Sequence, residues 1–278
     1  MSKEKNTPRK HPLLSIYILG PVLSIVFAFL FSEILMAFIG SVFEGLTGLG
    51  FMTTLFAIIG GLLALLIHKK WFAPEYKGSF AKFSFSDKSF LIPFAAGAVI
   101  DLISIIYCAV TSDVQAVIPS VALTFEAIMA GVCEETIARV FPVSLAMRNT
   151  KDKSRIVTAV LVSAIPFGLL HLINIFSGQD VFTSVVQAIY AAALGVFFGA
   201  VYLRTGNVLV TMIFHFLHDY AAFVINGNED TSIMAAMTGR DAVEALVPVL
   251  LLMVCGIMLI RGHKDEIEEK WKGIWSQE

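Results

Sequence analysis

Five ionisable side chains, Glu134, Glu135, His171, His215 and Asp219, lie inside stretches otherwise apolar enough to cross a membrane, and Arg139 lies close by. A charge at mid-bilayer costs roughly 2.5–3.5 kcal/mol on insertion scales, so such residues face a bundle interior and mark a functional site. The set is chemically coherent. A carboxylate able to act as base, two imidazoles and an acidic partner suit either water activation or metal ligation.

The spacing within each segment refines this. Glu135 and Arg139 are four residues apart and share a helix face, so Arg139 neutralises Glu135. Glu134 is then about 100° around the helix, an unpaired carboxylate poised as general base. The bland alternative for Glu135 and Arg139 is a buried pair that only locks helices together. His171 follows Phe167 by one turn, a position that packing alone would explain. Pro166 can kink that helix, and Asn174 is placed to orient the imidazole. His215 and Asp219 share a face, whereas His218 is offset, and spacing does not say which histidine faces a cavity.

The elements that must hold these residues are membrane helices. The chain has 278 residues, 57% hydrophobic and 15% charged, with mean hydropathy +0.79, well outside soluble composition. The expected fold is all-α, a single integral-membrane domain over 1–278 with its catalytic core at 117–225. Eight spans are expected, at 13–39, 49–67, 90–110, 117–147, 155–176, 182–203, 207–225 and 243–260. The first, after a basic stretch from Lys3 to Lys10, is too long for a signal peptide and reads as a retained span. With the N-terminus in the cytoplasm, 18 of the 20 Lys and Arg residues fall on the cytoplasmic side, and only Arg240 falls outside. Both termini are thus expected in the cytoplasm. The loop 68–89 and the tail with Trp271 and Trp275 read as interfacial stretches on the inner leaflet. Cys108, Cys133 and Cys255 read as small buried hydrophobes. The sequence holds no internal repeat, no Gly-rich phosphate loop and no nucleic-acid-binding pattern.

Glu-Glu-x-x-x-Arg at 134–139, Phe-x-x-x-His at 167–171 and His-x-x-x-Asp at 215–219, in that order on three apolar spans, resemble the CPBP family. This family comprises the CAAX prenyl endopeptidases and bacterial bacteriocin-processing and self-immunity proteins. The resemblance covers spans four to seven. It implies an intramembrane endopeptidase with Glu134 as the water-activating glutamate, supported by the Glu135–Arg139 pair, and His171 as partner of Glu134. It implies His215 with Asp219 as a second pair that stabilises the oxyanion, where relatives often carry Asn in place of Asp219. A second account places a zinc ion on Glu134, His171 and His215, which would lower the pKa of a bound water to about 7. Short loops suggest a bacterial protein of the cell membrane. Its partners would be the lipid bilayer and a leader-bearing peptide or membrane-protein substrate rather than a prenylated one. A proton-coupled transporter or a non-proteolytic immunity or scaffold protein is the competing reading, since acid and histidine chains also relay protons. The absence of inverted repeats weighs against transport.

Overall fold

The computed structural model describes residues 35–72, 76–111, 117–149, 154–225 and 236–275. Among these, every regular element is a helix, and the sole β contact is an isolated bridge between Phe80 and Asn207. In chain order the helices are α1 (Ala37–Thr47), α2 (Met52–Ile67), α3 (Lys88–Thr111), α4 (Val121–Met129), α5 (Phe141–Asn149), α6 (Arg155–Leu170), α7 (Val181–Thr205), α8 (Val208–Ile225), α9 (Gly239–Ile260) and α10 (Lys264–Ile274).

Among the described residues, six helices are long and apolar enough to cross a membrane: α3, α6 with its continuation to Ser177, α7, α8, α9, and α2 with its continuation to Lys70. The other two of the eight expected spans are not confirmed among the described residues. Most of the expected first span lies outside the described residues. The fourth is not one continuous α-helix. Two π-turns, Ala130–Glu134 and Thr136–Val140, divide it between α4 and α5. Leucine, isoleucine and valine side chains such as Leu66, Ile92, Ile103, Leu161 and Leu217 stand exposed around the bundle. In water such a surface would aggregate; in a bilayer it is the lipid-facing one. This is a multi-pass membrane protein.

The two ends of the bundle differ in chemistry. At one end helices begin on polar caps: Ser120 accepts from Leu123 N at 3.2 Å, Asp180 from Thr183 N at 2.9 Å, and Thr238 forms a capping box with Asp241. Each cap satisfies backbone N–H groups that lipid would leave bare. At this end Val117 N also bonds Val224 O (3.1 Å), and Met237 N bonds Thr183 Oγ1 (2.9 Å). At the other end lie the segments rich in Lys and Arg. Arg204 bonds Asp87 (2.7 Å) and Glu266 (3.3 Å), Arg155 pairs with Glu268 (3.5 Å), and Lys77 N bonds Ile274 O (2.8 Å). The loops grouped by charge are therefore in physical contact. Residues 121–149 connect the same two ends, because Ser144 Oγ reaches His68 Nε2 (3.4 Å) and Met147 O accepts from Arg155 (3.4 Å).

That basic end is built differently from the expectation. Trp271 and Trp275 are not spread on a lipid surface but buried, against Tyr76 and, for Trp271, Tyr202. Trp271 Nε1 donates to Leu203 O (2.9 Å), and the Tyr76 and Tyr202 hydroxyls bond each other. The amphipathic α10 finds its apolar partner within the protein, which removes the need for a membrane partner. Among the cysteines, Cys133 and Cys255 are buried as expected, whereas Cys108 is exposed.

α7 is the most buried spanning helix and packs between α6 and α9. Its Phe197 and Phe198, with Phe90, Val249, Leu252 and Leu259, form one core, and a second core lies under α10. Two glycines bring the site-bearing elements together. A Cβ on Gly131 would fall 2.7 Å from Met212 O, so only glycine allows the first π-turn to approach α8. A Cβ on Gly168 would fall 2.7 Å from Ala192 Cβ, which sets α6 against α7.

Candidate active site

Glu135 lies between the two π-turns, with Gly131 seated on α8 one turn before it. π-turns widen the helix and commonly mark functional sites. Here two adjacent carboxylates engage one imidazole. Glu135 Oε1 lies 3.0 Å from His215 Nδ1, and Glu134 Oε2 lies 3.8 Å from His215 Nε2. Glu135 and Arg139 form an ion pair at 3.1 Å with both side chains 0% exposed, on the face their four-residue spacing implies. Glu134 is 38% exposed, the accessible member of the two.

Arg139 is held from several directions. Its Nη1 donates to Ser163 Oγ (3.2 Å), which in turn donates to Ala138 O (2.6 Å). Its guanidinium lies 4.5 Å from the Phe167 ring centroid and 5.5 Å from that of Phe198. Cation–π contact of this kind compensates a buried guanidinium for lost hydration. Phe167 thus does more than fill space. It also meets both His171 and His215 edge-on, at 5.2 and 6.2 Å.

His171 owes its orientation to a change of helix type. At His171 α6 tightens into a 3₁₀ helix, and the backbone N–H of His171 bonds Gly168 O. Phe167 O accepts from the imidazole Nδ1 at 3.0 Å. A carbonyl can only accept, so Nδ1 carries the proton, and in the neutral form of the ring Nε2 presents a lone pair. Asn174 does not orient this ring. Its amide bonds Gln187 on α7 (3.0 Å), as does that of Gln179 (2.8 Å). His171 interacts electrostatically with Glu134, although the described residues show no hydrogen bond between the two.

α8 separates its two histidines. His215 faces the π-turns that carry Glu134 and Glu135, with Asp219 Oδ2 3.5 Å from its Nε2 and Phe198 stacked obliquely at 5.4 Å. His218 instead faces α3 and α7. Its Nδ1 lies 2.8 Å from Asp101 Oδ1 and its Nε2 2.9 Å from the Tyr190 hydroxyl. Asp101 and Tyr190 were not among the sequence candidates. Asp101 carried the same signal as the others, a lone carboxylate in an apolar span. A tyrosine in a membrane helix carries none.

Neutral His171 offers the lone-pair nitrogen that a metal ligand needs. Among the described residues, however, no three His, Cys, Asp or Glu side chains are grouped as a metal ion requires. The described side chains as arranged do not fit a metal ion.

Residues 116–221, which hold all three motifs, match the family described as type II CAAX prenyl endopeptidase Rce1-like. No curated protein and no solved structure matches the chain.

Proposed function

We propose, for a chain whose motif-bearing segment belongs to the CAAX-type endopeptidases, that it hydrolyses a peptide bond of a membrane-associated substrate, with Glu134 as general base. The observation that carries this reading is the clamped imidazole of His215, with Glu135 on one nitrogen and Glu134 and Asp219 on the other. A lone structural histidine needs one or two hydrogen-bond partners, not three carboxylates. Such a concentration of charge in an apolar bundle is costly and marks function.

The roles follow from the protonation pattern. Glu135, neutralised by Arg139, accepts the Nδ1 proton of His215 and fixes the ring. With both nitrogens protonated, His215 offsets the charge of Asp219 and of Glu134. The separations of 3.5 and 3.8 Å at Nε2 are longer than good hydrogen bonds, and contacts of this length are where a water can mediate. Glu134 takes one proton from a water, while the bare Nε2 of neutral His171 accepts the other O–H and aims the oxygen. A C–O bond forms at the scissile carbonyl and its π electrons move onto oxygen. When the intermediate collapses, the C–N bond breaks and the proton held by Glu134 passes to the leaving amine.

Glu134→Gln keeps the shape and deletes the base. Cleavage of a fluorogenic membrane-peptide substrate in detergent should fall about 10²–10⁴-fold, the usual contribution of a positioned general base. Unchanged turnover in this variant overturns the assignment. Glu134, His171 and His215 are the ligands that the zinc reading requires, and elemental analysis of protein purified without added zinc tests it. The substrate is placed at the cell membrane, with the site reached from the cytoplasmic side. That reading rests on the distribution of Lys and Arg.

A further inference from the structure

Around Arg204, at the basic end of the bundle, a cavity is lined by three cations and two carboxylates: Lys82, Arg204 and Lys270 against Asp87 and Glu266. Its volume is about 180 Å³. That is more than ten times the roughly 10–15 Å³ that one water needs. Arg204, in the last turn of α7, takes both carboxylates. Its Nη2 meets Asp87 at 2.7 Å, and its Nη1 meets Glu266 at 3.3 Å. Ser89 Oγ also accepts from Nη2, at 2.8 Å. Arg204 is buried, so this clasp fixes where the end of α7, the start of α3 and α10 meet.

The two lysines are left over. Among the described residues neither Lys82 nor Lys270 forms an ion pair, because both carboxylates are turned to Arg204. Lys270 Nζ donates to Arg204 O and sits over the Phe83 ring, 5.6 Å from its centroid. An ammonium carries three N–H donors, and that carbonyl uses one. Burial, and after it the charge of Arg204, holds Lys270 below the ordinary lysine range. An anion in the cavity would favour its charged form again. Lys82 is exposed, and its flexible stem lets the charge follow a ligand.

The surroundings point to the source of that anion. Phe83 packs against Phe85 at 5.0 Å and Phe90 at 4.7 Å. This aromatic wall runs into the start of α3, where Leu91 and Ile92 stand exposed on the lipid-facing surface. A free anion needs no apolar continuation. A lipid does, because its headgroup stays at the interface while its chains lie along the helix. Basic pockets between spanning helices hold anionic headgroups in this way. With Asp87 and Glu266 engaged by Arg204, the cavity has no carboxylate to spare for a quaternary ammonium, so an anionic headgroup fits better than a zwitterionic one. We propose that this cavity binds the phosphodiester of an anionic phospholipid headgroup, with Lys270 and Lys82 as its cationic contacts and Arg204 holding the walls together. The site shares no residue with the cleavage centre and does not depend on the cleavage reading.

The test titrates full-length protein in neutral detergent with dioctanoyl phosphatidylglycerol, dioctanoyl phosphatidylcholine or inorganic phosphate. Native mass spectrometry counts bound lipid, and the thermal midpoint rises with any ligand that binds only the folded state. Phosphatidylglycerol should bind and raise the midpoint, and the other two should do so more weakly. Lys82→Gln and Lys270→Gln should each weaken phosphatidylglycerol binding about fivefold, the usual worth of one basic residue at an anionic membrane surface. Lys264→Gln, exposed at the same end but outside the cavity, should leave it unchanged. Lys82→Gln alters an exposed side chain, so it reads the site even if Lys270→Gln fails to fold. Wild-type affinity in Lys82→Gln overturns the proposal. Inorganic phosphate that binds as tightly as phosphatidylglycerol makes this a site for a free anion and overturns the lipid assignment. Equal binding of the two lipids shows that the chains rather than the charge are held, and overturns it as well. None of these outcomes bears on peptide cleavage.

Discussion

At the scale of single residues, one buried ion pair decides which carboxylate is free to react. Glu135 and Arg139 satisfy each other at 3.1 Å with no exposure, and Glu134, its neighbour in sequence, is left accessible. Removing one partner of a buried pair strands the other charge, at a cost of roughly 3–5 kcal/mol. Glu135→Gln and Arg139→Leu should therefore each lower the thermal midpoint sharply, and the double variant should recover part of the loss. A double variant no more stable than either single would show that the pair does not carry the folding energy assigned to it. The pair was legible from four-residue spacing alone. The second partner of Glu135, the imidazole of His215 eighty residues later, was not, because spacing says nothing across helices.

At the scale of elements, the fourth expected span is where simple periodicity falls short. A regular α-helix was expected over 117–147, and two π-turns occupy its centre. Contact with α8 supplies the physical reason. Gly131 seats this turn against the Met212 carbonyl and Phe216, and the widened turns let Glu134 and Glu135 reach opposite nitrogens of His215. Gly131→Ala would place a methyl 2.7 Å from that carbonyl. Such overpacking costs roughly 1–3 kcal/mol, and it should separate α4 from α8. The expected outcome is a lower midpoint together with lost cleavage, whereas Gly45→Ala, where nothing lies within 4 Å of an added Cβ, should change neither. Wild-type behaviour of Gly131→Ala would mean that the close approach is not needed.

At the scale of the molecule, sidedness is the main consequence. The segments carrying Arg155, Arg204 and Lys270 meet at one end, clasped by Asp87, Glu266 and Glu268. The capped starts of α4, α7 and α9 form the other. If the basic end is cytoplasmic, Arg240→Cys should react with an impermeant thiol reagent on intact cells, and Lys264→Cys should react only after permeabilisation. A Cys108→Ala background removes the exposed native thiol. The reverse labelling pattern would invert the protein and move the route by which substrate enters.

The sequence by itself determined the helical fold class, the membrane setting, the resemblance carried by residues 116–221 and the candidate residues of the site. Each of these is written locally: apolar runs, polar groups stranded within them, and helical spacing of three or four. The tertiary structure decided what depends on contacts between distant segments. It separated His215 from His218 by giving each its own carboxylate, from between the two π-turns and from α3. It moved Trp271 and Trp275 from a lipid surface into a buried cap. It also brought Tyr190 to His218, a pairing twenty-eight residues apart on different helices that no helical period could encode.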